Sequence, residues 1–363
     1  MHNISYSNLQ SFTKQVFLNM GCSNEHAQTA SEVLLSADLR GVDSHGVARL
    51  KGYIRLWQSE RVNPKPNIKI VHETPSTAVI DGDAGLGLVV APFAMQVAME
   101  KAEKVGTGWV SVKNSNHYGI AGYHSMLALE KDMIGWSMTN ASPLVSPTFS
   151  KDRLLGTNPI SIAIPTKEQP PFVADFATTT AANGKLEVLK RKGQNAPFGW
   201  VQDADGKPTQ NVDALKEGGS MLPLGGDREH ASHKGYILGS IVDIFSAVLS
   251  GANYGPWAPP FVSFLPLRED PVGEGLGHFL GAMRVDAFRP ADDFKNHMDN
   301  WIETFRNSKT THESDKVLIP GDPEREMTSE RMTNGIPLLD AVIEDLTAVG
   351  EELNIAFKEY LKK

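Results

Sequence analysis

The sequence predicts a mixed α/β fold of the α+β kind, with helical segments at both ends and a sheet between them. Three observations carry this. Apolar residues recur at helical spacing near both termini, from Leu9 to Ser59 and again beyond Phe294. The strand-like stretches of the middle often come in adjacent pairs, which points to a mixed or partly antiparallel sheet. No complete glycine fingerprint of a parallel dinucleotide-binding unit occurs, and "DGDAGLGLVV" places Val90 where that turn needs a third small residue.

Taken in order, Ser7 and Gln10 form a capping box for a first helix. Its inner face is Leu9, Phe12, Val16 and Met20, and Gly21 ends it. Ser23 caps a second helix with Ala27, Ala30, Val33, Leu34 and Ala37 inside, stopped by Gly41. Ser44 is placed to cap a third helix that runs to about Ser59. Residues 67–82 read as two strands around a turn. A helix over 91–106 leads to a strand at 108–114. A second helix–strand pair covers 123–132 and 133–140. Two strands follow at 159–166 and 171–178, then a helix at 180–193 despite Gly184. Residues 194–232 are polar and turn-rich, hence mostly loop. Lys234–Ser250 reads as a buried helix, 277–288 as a strand, and 294–308 and 337–353 as C-terminal helices.

Composition narrows the function. The chain has 363 residues, 40% hydrophobic and 21% charged, an ordinary globular mix with enough length for two domains. A formal charge of −8 argues against non-specific nucleic-acid binding. The most apolar run, Tyr236–Ala252, is short for a membrane span and carries Asp243. One cysteine, Cys22, allows no internal disulfide, and the N-terminus shows no signal-peptide pattern. A cytoplasmic protein is the expectation.

Most chemistry motifs fail. There is no P-loop and no GxSxG elbow, and "GEGLGH" is no dinucleotide turn. His230 and His233 lack the further ligands of a metal site and read as a surface pair, so no metal is expected. Three stretches stand out. In "DSHGVARL", a helix from Ser44 would put His45, Arg49 and Tyr53 on one face. Arginine can grip a carboxylate with two parallel bonds, histidine can move a proton near neutral pH, and Tyr53 adds a hydroxyl. A solvated polar face satisfies the same spacing. In "NSNHYGIAGYHS", His117 stands where a strand meets a helix, a position suited to function or to a turn, and His124 reads as structural. In "HKGYILGSIVDIF", Lys234 sits at the positive end of a helix dipole, either answering a bound anion or covering apolar surface with its stem.

Together with "GTNPISIAIPT", "VADFATT" and "IPGDPE…NGIPL", these stretches resemble, in order from about residue 34 to 338, the malate/L-lactate dehydrogenase family that is distinct from the Rossmann lactate and malate dehydrogenases. Ureidoglycolate and sulfolactate dehydrogenases, diketogulonate reductase and piperideine-carboxylate reductase are relatives of that kind. The resemblance implies an oxidoreductase using NAD or NADP, with a non-Rossmann cofactor domain on a largely antiparallel sheet. It implies a homodimer whose other partner is a small carboxylic acid. The expected division is 1–75 packing with 290–363, and 76–289 as the mixed region, with the cofactor domain at about 120–285.

Carried over by position, Ser44, His45 and Arg49 match the substrate-facing motif, with Tyr53 beside them. His117 and His45 both match histidines given the proton-transfer role. Asn140 matches a residue near the nicotinamide. Asp175, Phe176 and Ala177 match a cofactor-binding strand end, and Lys234 and Gly235 a cofactor contact. Gly321, Asp322, Pro323 and Glu324 match a late loop closing on the cofactor. The proline- and aromatic-rich segment 252–270 departs from the pattern and reads as a substrate-side loop.

The implied reaction moves a hydride between nicotinamide and a 2-hydroxy or 2-oxo acid, with a histidine as acid and base. The alternatives are reduction of a cyclic imine carboxylate, and a cofactor-binding protein without catalysis. Asp175 could hold a ribose hydroxyl, while Lys190–Lys192 could meet a 2′-phosphate or simply end a solvated helix, so NAD and NADP both stay open.

Overall fold

The computed structural model describes residues 2–361, apart from the side chain of Arg191. The chain opens with β1 (His2–Ile4), followed by α1 (Tyr6–Asn19), α2 (Asn24–Leu39) and α3 (Leu50–Gln58). Ser5, not Ser7, caps α1: its hydroxyl accepts from the Asn8 N–H at 3.3 Å. The entry of β1 into the helix sets the first turn two residues earlier than the capping box suggests. Ser23 caps α2 as expected, accepting from the His26 N–H at 3.1 Å. The predicted inner faces of both helices are fully buried.

Then come β2 (Lys69–Glu73), β3 (Thr77–Asp81), α4 (Gly87–Val105), β4 (Thr107–Ser115), α5 (Ala121–Met126), β5 (Met133–Thr139), β6 (Ile160–Ile164) and β7 (Phe172–Phe176). After α6 (Asn183–Arg191), three two-residue strands, β8 (Val201–Gln202), β9 (Pro208–Thr209) and β10 (Ser220–Met221), form a small sheet inside the segment expected to be mostly loop. The chain closes with α7 (Ser232–Asp243), β11 (Leu276–Arg284), α8 (Ala291–Arg306), α9 (Asp322–Asn334), β12 (Ile336–Leu338) and α10 (Asp340–Glu352).

The main sheet has seven strands in the order β2-β3-β4-β11-β5-β6-β7. Only β3 and β4 pair in parallel, joined through α4, and every other neighbour is antiparallel. A mixed, largely antiparallel sheet is thus what the paired strand patterns foretold. β11 enters its centre from far along the chain and pairs with both β4 and β5.

One core lies among the terminal helices. There Phe12, Val16 and Leu34 pack with Leu50, Tyr53, Leu88 and Leu346. A second lies between α4 and the sheet, around Met95, Val110 and Leu280. β1 pairs with β12, so the two ends of the chain are tied together. α8 lies elsewhere: Asp299 accepts N–H bonds from Lys167, Glu168 and Gln169, and Trp301 packs edge-on to Phe172.

The helix expected to be buried is not. α7 and the π-turn after it bury Gly235, Gly239, Val242 and Ala247, but leave Ile237 54%, Ile244 53% and Leu249 56% exposed. Hydrophobicity all around a helix requires cover on every side, and the chain itself covers one side. No helix among the described residues is long and apolar enough to cross a membrane.

Candidate active site

The segment between α2 and α3 is not the continuous helix its spacing suggested. It makes two 3-10 turns, Asp43–His45 and Val47–Arg49, separated by Gly46 in an extended conformation. The buried carboxyl of Asp38, in the last turn of α2, accepts from the Val47 N–H at 2.8 Å and so competes with helical bonding there. A Cβ at position 46 would fall 2.1 Å from that carboxyl, which makes glycine necessary. Ser44 therefore caps nothing, and its hydroxyl bonds His45 Nδ1 at 2.9 Å. His45 and Arg49 still converge on one cleft. Two tight turns replace one helical face.

His117 reaches the same cleft from the end of β4. Its backbone is fixed from below. The Asn116 amide donates to the carbonyls of Arg61, Ala84 and Gly85. A Cβ on Gly87 would lie 2.1 Å from the Asn116 oxygen, so the start of α4 presses directly on this corner. Gly85 and Gly87, which failed as a dinucleotide turn, thus serve to seat His117.

The cleft, about 70 Å³, is lined by His45, Arg49 and His117, by Asn183 and Gly184 of α6, and by Phe261. The imidazoles of His45 and His117 stack with centroids 5.8 Å apart. His117 Nδ1 lies 2.6 Å from the Tyr53 hydroxyl, which is wholly buried. Arg49 donates through Nε to the Ser44 carbonyl at 2.5 Å and through Nη2 to Glu187 at 3.4 Å. Burial and then the Arg49 guanidinium push His45 down to about 4. Burial, His45 and Arg49 hold His117 well below the ordinary 6.5. Both rings are neutral at pH 7, and burial pushes the Tyr53 phenol up, so it keeps its proton.

A neutral imidazole, a seated hydroxyl and a guanidinium in one small cleft can bind a carboxylate and move a proton beside it. A profile of the malate/L-lactate dehydrogenase family matches residues 4–347. The chain belongs to that family. Malate dehydrogenase of Pyrococcus abyssi is 42% identical over 348 residues, covering 96% of this chain and 94% of its own. L-sulfolactate dehydrogenase of Methanocaldococcus jannaschii is 37% identical, covering 96% of each. The crystal structure of malate dehydrogenase from Entamoeba histolytica superposes with a TM-score of 0.90 at 35% identity, over 97% of this chain and 98% of that one. As a member of the malate/L-lactate dehydrogenase family, the protein is a hydroxy acid dehydrogenase.

The residues matched to cofactor binding gather around the end of β7. Asp175 and Phe176 are exposed there, and Asp175 accepts from the Gly122 N–H at 2.8 Å. Gly321–Glu324 are not a loop but the start of α9, with Gly321 as its cap. They sit beside β7 because the Val173 N–H donates to the Pro320 carbonyl at 3.0 Å. Glu324 and Arg40 both act electrostatically at Asp175. The Asp322 carboxylate is engaged by the Ile319 N–H and by Arg306 and Arg325. Lys234 is exposed in the first turn of α7, and Gly235 presses on the backbone of Leu224, whose N–H donates to Thr178 just beyond β7. Asn140 is buried, and its amide bonds Asn253, Asp243 and the Gly277 N–H.

His124 is buried and bonds the Tyr118 carbonyl at 2.8 Å. His230 pairs with Asp227 and His233 with Arg228, both on the surface. Lys190 pairs with Asp213, and the side chain of Arg191 lies outside the described residues.

Sequence reasoning passed over Asn183, Gly184 and Phe261, which line the cleft, and Glu187, which meets Arg49. A Cβ on Gly184 would stand 2.5 Å from Ser44 Cβ, and that close approach could have been suspected from a glycine inside a helical pattern. Phe261 carried no signal beyond lying in the unusual 252–270 segment.

Proposed function

We propose that the protein interconverts a small 2-hydroxy acid and its 2-oxo acid with NAD or NADP, using Arg49 to hold the carboxylate and His117 to transfer the proton. The observation that carries this reading is the convergence of Arg49, His45 and His117 on one small cleft, with His117 locked to Tyr53.

Arg49 orients the substrate carboxylate, so its 2-carbon is held in one pose. The Tyr53 hydroxyl at 2.6 Å and the Gly119 N–H at 3.4 Å both meet Nδ1 of His117, so Nε2 is the ring nitrogen left for the substrate oxygen. It takes the hydroxyl proton in oxidation and returns it in reduction. His45, held by Ser44, stacks beside it and keeps the other side of the cleft neutral. A nicotinamide supplies or accepts the hydride.

The residues present fit such a dinucleotide. Thr157 and Ala182 line the cleft, and the Thr157 carbonyl accepts from the Thr178 N–H at 3.0 Å, which ties the cleft wall to the strand end that carries Asp175 and Phe176. Exposed Phe176 offers an apolar seat and Asp175 an acceptor for ribose hydroxyls. Gly321–Glu324, Lys234 and Gly235 border that strand end, and Asn140 supports the base of the site.

We further read the chain as a homodimer. The apolar face of α7, exposed over more than two turns, supports an occluding partner of the same kind. The single cysteine is buried and unpaired, which suits a reducing, cytoplasmic setting.

The test is turnover of a panel of 2-oxo acids, and of a cyclic imine carboxylate, followed by loss of dihydronicotinamide absorbance with each reduced nucleotide. Oxidation of cofactor by 2-oxo acids alone is the expected result. Turnover confined to the cyclic imine, or none at all, would overturn the reading.

A further inference from the structure

The small cleft has a larger neighbour. A basin of about 930 Å³ lies on the far side of Arg49, Phe261 and Val262, and these three residues line both spaces. Five cationic side chains line the basin with three acidic ones, but Arg49 and Lys51 pair with Glu187 and Asp345, and Asp213 pairs with Lys190 and Lys216, which leaves Arg55 as the cation there without a carboxylate partner among the described residues. The division between the two spaces is built by Phe261. Its ring lies 4.5 Å from the His117 ring and 5.2 Å from that of Tyr53, centroid to centroid. The ring tip presses on Gly52, where a Cβ would stand 2.5 Å away.

This placement is held on both sides of the residue. The Phe261 N–H donates to the Ser142 hydroxyl at 2.8 Å. Arg55 donates to the Phe261 carbonyl, and Arg61 to that of Pro260 at 3.0 Å. Half-buried hydrogen bonds from two arginines to one loop backbone are more than a passive wall requires. They fix one aromatic ring against the proposed proton-transfer histidine.

We propose that Phe261 is a specificity gate: it closes the catalytic cleft against the basin and so limits the length of the chain beyond C3 of the 2-oxo acid. This rests on the proposed 2-oxo acid reductase reading. With the ring in place, the cleft has room for a small acid and little more. With the ring removed, a longer chain extends into the basin, where the Arg55 guanidinium favours a distal anionic group.

The test compares wild type, Phe261→Leu and Phe261→Ala on a graded series of 2-oxo acids. The series includes the matched five-carbon pair 2-oxopentanoate and 2-oxoglutarate, which differ by one distal carboxylate. Wild-type kcat/KM should fall steeply with chain length. Phe261→Ala should raise kcat/KM for 2-oxoglutarate relative to the three-carbon acid by about tenfold or more, the scale on which a pocket discriminates by size. Phe261→Leu should fall between. The gain should be larger for 2-oxoglutarate than for 2-oxopentanoate, and the difference should shrink at high salt. A uniform loss across the series in both variants, or a gain blind to the distal charge, overturns the gate while leaving the parent reading intact. Wild-type protein that reduces no 2-oxo acid overturns both.

Discussion

The Tyr53 hydroxyl stands 2.6 Å from His117 Nδ1, and it comes from a side chain with no solvent exposure. Tyr53 belongs to the core of the terminal helices, whereas His117 lies in the turn that follows β4 of the main sheet. The bond joins the terminal helices to the end of the sheet at the candidate site. The hydroxyl expected beside the substrate bonds the His117 imidazole.

His117→Ala should lower kcat by about 10²- to 10⁴-fold, the usual worth of a positioned acid–base group. Nucleotide affinity, read by quenching of protein fluorescence, should hold. Tyr53→Phe should lose roughly tenfold in kcat, the scale of one bond to a group that becomes charged. Unaltered turnover in His117→Ala would transfer the proton role to His45.

Arg49→Lys removes the planar fork while keeping the charge. KM for the acid should rise about 10- to 100-fold, with a smaller change in kcat, since a charge-assisted pair is lost. The Glu187 and Ser44 contacts of Arg49 depend on the same fork. Steady-state kinetics with unchanged KM would remove Arg49 from substrate binding.

Arg49 lowers both imidazoles electrostatically, so a bound carboxylate that offsets its charge should let them rise. Oxidation of the hydroxy acid needs neutral His117. It should proceed above the histidine pKa and fail as pH falls through it. The kcat/KM profile reports the free enzyme and the kcat profile the complex. The acid limb of kcat should therefore lie at higher pH than that of kcat/KM. Coincident or reversed limbs would contradict the Arg49 coupling.

The exposed face of α7 predicts its own test. Ile237→Glu or Ile241→Glu places a charge in an exposed apolar patch and should give monomers in sedimentation, where the unmodified chain should sediment as a dimer. Monomeric wild type would show that the face is not an interface between copies.

The site was legible in part, and for reasons the structure rearranges. His45 and Arg49 were found by a helical spacing that does not exist, because Asp38 takes the Val47 N–H and breaks the helix at Gly46. Their proximity survives, since two tight turns also return the chain on itself. His117 was marked as a strand–helix corner, and it is one. Gly85 and Gly87 read as failed nucleotide glycines, and their use became visible only with Asn116 packed upon them. Phe261 lies 208 residues beyond Tyr53 in numbering, and no local pattern could place its ring on His117.

By itself the sequence determined the class of fold, the two inner helix faces, the paired strands and three of the side chains that line the cleft, because these follow from short-range periodicity and side-chain chemistry. Only the tertiary structure decided which hydroxyl meets which imidazole, where β11 enters the sheet, that α7 keeps an uncovered side, and which ring closes the cleft. Those outcomes are settled by contacts between segments distant along the chain. Burial and close packing choose among arrangements there that local propensity leaves equivalent.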